Sequence, residues 1–197
     1  MADSHLVICG SPADGICRRA AQAALHLLAE QQHPTDEVKL IDVAALNMSW
    51  CVGCNRCKDL GRCFMRDDMD EVIATLLRAS SLSVVAPVYF AGPPAPYKAL
   101  LDRLQPLFWN RVHNAGKTDV RRSARLLVVG QGGDPHGFDP LVVCTRSALA
   151  VVGFSLDVVE ACIGQDAEEI LRRVPAWIGC SHDKIADEVQ GGFSYGC

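Results

Sequence analysis

At 197 residues, with a net charge of −4 and a pI of about 5.8, the chain is long enough to bury one full core and lacks the basic surplus of a nucleic-acid surface. Hydrophobic residues make up 49% and charged ones 21%, an ordinary globular balance, and no apolar run approaches the ~18 residues of a membrane span. Met1-Ala2-Asp3-Ser4 passes straight into an apolar run with no basic leader, so no signal peptide and no membrane partner are expected, and the setting is expected to be cytoplasmic.

His5 to Cys9 is a continuous apolar run ending at Gly10-Ser11-Pro12, the pattern of a strand buried on both faces. From Gly15 to about Gln31, Ile16, Ala20, Ala23, Ala24, Leu27 and Leu28 recur on one helical face. Val38 to Val43 is a second strand, and a cysteine-rich loop over 50–64 follows it. Asp67 and Asp68 are expected to cap a helix carrying Met69, Val72, Ile73, Leu76 and Leu77. Leu82 to Phe90 predicts a third strand. Pro94 and Pro96 then open a helix whose stripe of Tyr97, Leu100, Leu101 and Leu104 is expected to stop at Pro106. Ala124 to Val129 is a fourth strand, and a glycine-rich loop from Gly130 to Gly137 leads into a helix over Pro140 to Val152. Phe154 to Cys162 is a fifth strand and Asp166 to Ile178 a last helix. Residues 1–180 form one domain on this reading, and 181–197 a weakly patterned tail.

Strands and helices alternating five times predict an α/β fold, a parallel sheet with helices on both faces. Right-handed crossovers favour the doubly wound order 2-1-3-4-5, which binds ligands outside the carboxyl ends of its strands. The informative loops, after strands one to four, all open on that edge.

Cys51, Cys54, Cys57 and Cys63 fall within thirteen residues at a spacing of C-x2-C-x2-C-x5-C. Thiols that close cannot pair as disulfides without strain, but all four can turn to one thiophilic centre. A [4Fe-4S] cluster is the first reading; a four-cysteine zinc site and uncoordinated or redox-cycling thiols are the alternatives. Arg56, Lys58, Arg62 and Arg66 are interleaved with the thiols and would offset a negative centre. The other six cysteines are scattered and read as core packing or spectators.

The first loop, Gly10 to Cys17, joins a strand to a helix N-terminus, where backbone N–H groups and the helix dipole suit a phosphate. It carries neither a Gly-Lys-Ser/Thr nor a G-x-G-x-x-G pattern, and Gly130-Gln131-Gly132 has Pro135 where a third glycine belongs. A monophosphate cofactor is therefore favoured over a tightly held dinucleotide. In Pro87-Val88-Tyr89-Phe90-Ala91-Gly92, the two aromatics taken alone read as core; beside a phosphate site they would edge a flat ring, which Gly92 lets the backbone approach. Gly130, Gly132 and Gly133 offer N–H groups to the electron-rich edge of a reduced flavin.

Gly10-Ser11-Pro12, the cysteine run followed by Asp67-Asp68-Met69, Ser83-x-x-x-Pro87-Val88-Tyr89-Phe90-x-Gly92 and Lys98-x-x-x-Asp102-Arg103 together resemble the flavodoxin-like NAD(P)H-dependent FMN reductases, and within them the iron–sulfur flavoprotein branch. The resemblance runs from strand one to strand five. It implies FMN, one [4Fe-4S] cluster on Cys51, Cys54, Cys57 and Cys63, and a homodimer or homotetramer that sets one subunit's cluster near a neighbour's flavin. It also implies that Ser11 and the amides of Ala13, Asp14, Gly15, Ile16 and Cys17 hold the FMN phosphate. Pro87, Val88, Tyr89, Phe90, Ala91 and Gly92 would flank the ring, and Gly132-Gly133 would meet its pyrimidine edge. The family's first loop has Arg after Ser-Pro and ends Gly-Asn-Thr; Ala13 and Gly15-Ile16-Cys17 replace them here, so weaker FMN binding is expected.

The expected activity is an FMN-dependent oxidoreductase passing electrons between flavin and cluster. Its donor would be NAD(P)H, held transiently, or reduced ferredoxin, and its acceptor a small molecule such as a quinone. The alternatives are an NAD(P)H-dependent FMN or quinone reductase without a cluster, and a non-catalytic module whose four thiolates organise a partner-binding loop around a metal. No side chain is assigned to catalytic proton transfer: His136 reads first as an exposed loop histidine. Lys98, Asp102 and Arg103 read as structural or interfacial charges, and Trp109 and Trp177 as packing.

Overall fold

The computed structural model describes residues 4–31, 36–113 and 121–179, so the expected tail at 181–197 lies outside the described residues. In chain order the elements are β1 (Ser4–Cys9), α1 (Ile16–Gln31), β2 (Glu37–Asp42), a 3-10 turn (Val43–Ala45), α2 (Cys57–Leu60), α3 (Met69–Arg78), β3 (Ser81–Pro87), α4 (Ala95–Asp102), α5 (Gln105–His113), β4 (Arg122–Gly130), α6 (Asp139–Val152), β5 (Phe154–Ile163) and α7 (Ala167–Ile178). The five strands form one sheet in the order β2-β1-β3-β4-β5. All four pairings are parallel, with Cys9 beside Asp42 and Val85, Pro87 beside Val129 and Gly130 beside Ile163. The carboxyl ends of the strands therefore lie along one edge, as expected for a doubly wound sheet.

Because side chains alternate along a strand, the apolar runs split between two cores. Leu6, Ile8, Leu82, Val84, Leu126 and Val128 face α3, α4 and α6, while Val7, Cys9, Val85, Leu127 and Val129 face α1 and α7. Cys9, Cys17 and Cys162 are buried in the second core. Tyr97 of α4 is wholly buried and donates to Thr145 Oγ1 at 3.3 Å. It lies under the end of β1, where a Cβ on Gly10 would stand 3.0 Å from its Cγ, so glycine there lets the first loop start. Trp177 is buried as expected. Trp109 is partly exposed, 5.2 Å from Phe108 in an edge-on contact.

Several boundaries differ from the sequence expectation. β3 stops at Pro87 rather than Phe90. Val88 N still donates to Val129 O at 2.9 Å, but Tyr89 and Gly92 then exchange N–H···O bonds at 3.0 Å and close a tight turn. Phe90 is fully exposed and Tyr89 half-exposed, so neither belongs to the core. The helix does not stop at Pro106: α4 ends earlier, at Asp102, and Pro106 sits in the first turn of α5, where its missing N–H costs nothing. Asp68 makes no side-chain cap on α3. It accepts from Asn47 N at 2.7 Å, while Asp67 accepts from Ser49 N at 3.1 Å and Met69 N at 3.2 Å. The two aspartates thus fasten the entry of the cysteine loop to the helix that follows it. Among the described residues no helix is long and apolar enough to cross a membrane.

Candidate functional site

Left-handed backbone at Gly53 (φ 65°), Asn55 (φ 58°) and Gly61 (φ 65°) winds the cysteine loop tightly. Gly61 closes the one-turn helix α2 by donating to Cys57 O at 3.0 Å, and Asn110 of α5 donates to Gly61 O at 3.1 Å. All four cysteines line one cavity of about 310 Å3, with Asp102, Arg103 and Pro106 contributed by the α4–α5 corner. Cys54 is exposed, and Cys51, Cys57 and Cys63 are half-buried free thiols. Burial pushes the Cys57 thiol up, and the neighbouring Cys51, Cys63 and Cys54 thiols add to that rise. Among the described residues no three Cys, His, Asp or Glu side chains gather closely enough to hold a single metal ion. The thiols instead stand around an open cavity.

The charges expected to serve this loop are mostly engaged elsewhere. Arg56 stacks over Phe64 at 4.9 Å, Lys58 over Trp109 at 5.3 Å, and Arg66 pairs with Asp70 at 2.9 Å. The cation lining the cavity is Arg103, only 2% exposed, at the end of α4. Its Nη1 donates to Ser49 O and Asp67 Oδ2, both at 2.7 Å, and its Nη2 to Asp67 Oδ1 at 2.8 Å. Its Nε is buried without a partner. The hydrogen bond from Arg103 holds the Asp67 carboxyl below the usual carboxylate range. Arg103 was not foreseen as part of this site, because it lies forty residues beyond Cys63 on another element. The donor set fits a thiophilic, negatively charged group: four thiols, and a buried cation with an unused N–H.

The three other loops stand along the same edge. In the first, Ser11 is buried and its hydroxyl is turned on its own loop, donating to Ala13 O at 3.0 Å and accepting from Ala13 N at 3.3 Å. Pro12 to Gly15 are exposed ahead of α1, and nothing lies within 4 Å of a Cβ built on Gly15, an open approach to the helix N-terminus. Arg18 brings a cation near this loop, 3.5 Å from Asp14 and 2.7 Å from Asp42 of β2. Cys17 sits beneath, its thiol pushed up to about 12 by burial, with Cys9 adding to the shift, so it packs as a neutral group. In the second loop Phe90 (φ 48°) and Ala91 (φ 62°) occupy the left-handed region without being glycine. Ala91 is buried and its carbonyl accepts from Leu141 N at 3.0 Å, anchoring the turn to α6.

The third loop meets the second at Gly130, where a Cβ would lie 2.5 Å from Val88 Cγ1 and 3.1 Å from Ile163 Cδ1. Gly130 O accepts from Gly164 N at 2.8 Å. Packing therefore requires glycine at this position whatever binds nearby. Gly132 (φ 85°) and Gly133 (φ 87°) are exposed, and a Cβ on Gly133 would meet nothing within 4 Å. His136 is exposed, and its backbone N–H donates to Asp134 Oδ1 at 2.8 Å.

The sheet order and the ligand edge define a flavodoxin-like, doubly wound protein. Residues 4–157 match the NADPH-dependent FMN reductase family, and the chain belongs to that family. It is similar to an iron–sulfur flavoprotein of Methanocaldococcus jannaschii, 37% identical over 101 residues, covering 51% of either chain. It is also similar to an iron–sulfur flavoprotein of Archaeoglobus fulgidus, 29% identical over 136 residues, which cover 69% of this chain and 65% of that one. The chain thus spans about half the length of the first of these curated relatives and less than two thirds of the second. Among solved structures it resembles an NAD(P)H:quinone oxidoreductase from Methanothermobacter marburgensis, with a TM-score of 0.63 and 16% identity, covering 89% of this chain and 97% of that one. A likeness at that identity speaks for the fold alone.

Proposed function

We propose that the protein is an FMN-dependent oxidoreductase that holds a [4Fe-4S] cluster on Cys51, Cys54, Cys57 and Cys63. The observation that carries this reading is one cavity lined by all four cysteines and by buried Arg103, in a chain of the FMN reductase family. A single zinc ion draws its sulfurs to ~2.3 Å, hence roughly 3.8 Å from one another. Thiols spaced around a cavity of about 310 Å3 favour a larger group. When bound, FMN supplies two-electron chemistry and the cluster a one-electron route.

The residues divide that work. The amides from Ala13 to Cys17, exposed from Ala13 to Gly15, and the Ser11 hydroxyl would hold the phosphate, once the hydroxyl leaves its contact with Ala13. The 87–92 turn flanks the ring, with Phe90 held fully outward. Gly132 and Gly133 present amides to its pyrimidine edge, and Gly130 keeps the two loops in contact. Arg18, shared with Asp14 and Asp42, gives the phosphate a partly neutralised cation, which supports weak and exchangeable FMN binding. NAD(P)H or reduced ferredoxin is the donor and a small molecule such as a quinone the acceptor. Exposed Trp50, Val52, Phe64 and Phe90 favour a homo-oligomer in which these edges are covered.

Purification without oxygen tests the reading. Flavin absorption together with iron and sulfide supports it. Flavin alone leaves an FMN or quinone reductase without a cluster, and zinc without flavin overturns both. Cys54→Ala is expected to remove the iron while leaving the circular dichroism of the sheet and helices unchanged.

A further inference from the structure

Burying a guanidinium costs several kcal/mol unless its charge and its donors are matched. Arg103 is matched on one side only. Its Nη atoms reach both oxygens of Asp67 and the carbonyl of Ser49, a two-pronged contact that fixes the plane of the group. Asp67 is itself only 10% exposed and is tied to Ser49 N and Met69 N, so the fork cannot swing. The remaining Nε–H is buried without a hydrogen-bond partner, a condition that costs stability. Of the four thiols it is Cys63 that interacts with the Arg103 guanidinium, so the unused donor has a sulfur acceptor close by in the cavity. Arg103 shares its cavity with the four thiols. Of the four interleaved cations, Arg56, Lys58 and Arg66 are held by Phe64, Trp109 and Asp70, and Arg62 is not among the residues lining the cavity.

We infer that Arg103 is a positioning residue for the group bound in this cavity: its fixed Nε–H donates to a thiolate or sulfide there and raises the reduction potential of that group. The inference rests on the iron–sulfur reading of the cysteine loop. One-electron reduction adds a negative charge to a thiolate-bound cluster without making or breaking a bond, and a fixed donor favours the more negative state. Lysine keeps the charge but loses both the fork and the Nε–H.

The test uses the full chain prepared without oxygen, as wild type, Arg103→Lys and Asp67→Asn. Iron and sulfide content, the midpoint potential from a dithionite titration, and the unfolding temperature of the metal-free chain are measured for each. Arg103→Lys is expected to keep the cluster and shift its equilibrium about tenfold toward the oxidised form, ~59 mV lower for one electron. Asp67→Asn keeps the Nε–H and removes a nearby carboxylate charge, so its potential is expected to stay level or rise. Loss of iron from Arg103→Lys with an unchanged unfolding temperature of the metal-free chain also supports the inference. An Arg103→Lys potential within twofold of wild type in that equilibrium overturns it. So does an equal fall in both variants, or a loss of iron that tracks a fall in the unfolding temperature, each of which makes Arg103 purely structural. Wild type without iron and sulfide overturns the cluster reading itself, and does so before any variant is compared.

Discussion

His5 is a buried titratable group of β1, 7% exposed, with Nδ1 2.6 Å from Ser81 Oγ and Nε2 2.9 Å from Ser83 Oγ. Burial first, and then the charge of Arg125, lowers its pKa from 6.5 to about 4. A folded-state pKa below the unfolded one contributes stability that is whole above about 6.5 and is lost as pH falls toward 4. A drop of that size is worth about 3 kcal/mol. Urea midpoints measured from pH 7.5 down to 4 are expected to fall through this window, and His5→Gln, neutral throughout, is expected to flatten the fall. Asp67 obeys the same sign rule from a lower start. Its carboxyl is already held below the carboxylate range, so its ion pair with Arg103 survives this window and is lost only at stronger acidity. Residues such as these were not legible one at a time. Lys98-x-x-x-Asp102-Arg103 shows charges on a helix, and Lys98 does pair with Asp102 at 2.6 Å on the surface, where such pairs contribute little. Arg103, one residue further and at the helix end, turns inward instead, and only the tertiary approach of Ser49 and Asp67 explains why.

The turn between β3 and α4 shows where pattern reading stops at the scale of an element. Val88-Tyr89-Phe90 continues the apolar run of β3, so nothing in its periodicity marks an end. The end comes from Pro87, which cannot donate to the ladder, and from the Tyr89–Gly92 bridge, which needs two left-handed residues in a row. Asn-Gly would signal such a turn; Phe90-Ala91 does not. Each of these residues carries a conformational cost of order 1 kcal/mol, and Phe90 recovers none of it by packing within the chain. Phe90→Asn with Ala91→Gly is therefore expected to raise the unfolding midpoint by about 1 kcal/mol equivalent while weakening FMN retention, because the outward aromatic is gone. The glycines of the third loop separate in the same way. Gly130→Ala forces a Cβ into Val88 and is expected to cost about 2 kcal/mol, whereas Gly133→Ala meets open space and costs only the backbone strain, about 1 kcal/mol. A chemical-denaturation series on the two variants distinguishes packing from conformation.

At the scale of the molecule, the sheet order was legible because five strand–helix alternations with right-handed crossovers leave few topologies, and the ligand edge follows from the order. The charge around the proposed phosphate site was legible only in part. Ala13 in place of an arginine indicates a missing cation, and the fold adds what the sequence does not show: Arg18 is nearby but is held between Asp14 and Asp42. With a net charge of −4, the whole molecule also repels a phosphate dianion at long range. Salt screens that repulsion, so FMN binding by the wild type is expected to hold or strengthen slightly as salt rises from low to physiological levels. Ala13 is exposed, so Ala13→Arg adds a cation at the loop without disturbing the core. A charge-assisted hydrogen bond of about 1.5 kcal/mol corresponds to roughly tenfold tighter FMN binding, now weakened by salt. A fluorescence titration of FMN at two salt concentrations reads both effects. Unchanged affinity in Ala13→Arg, with the unfolding midpoint intact, would place the phosphate away from the first loop. The charge of Asp14 would then be an ordinary surface feature of the loop ahead of α1.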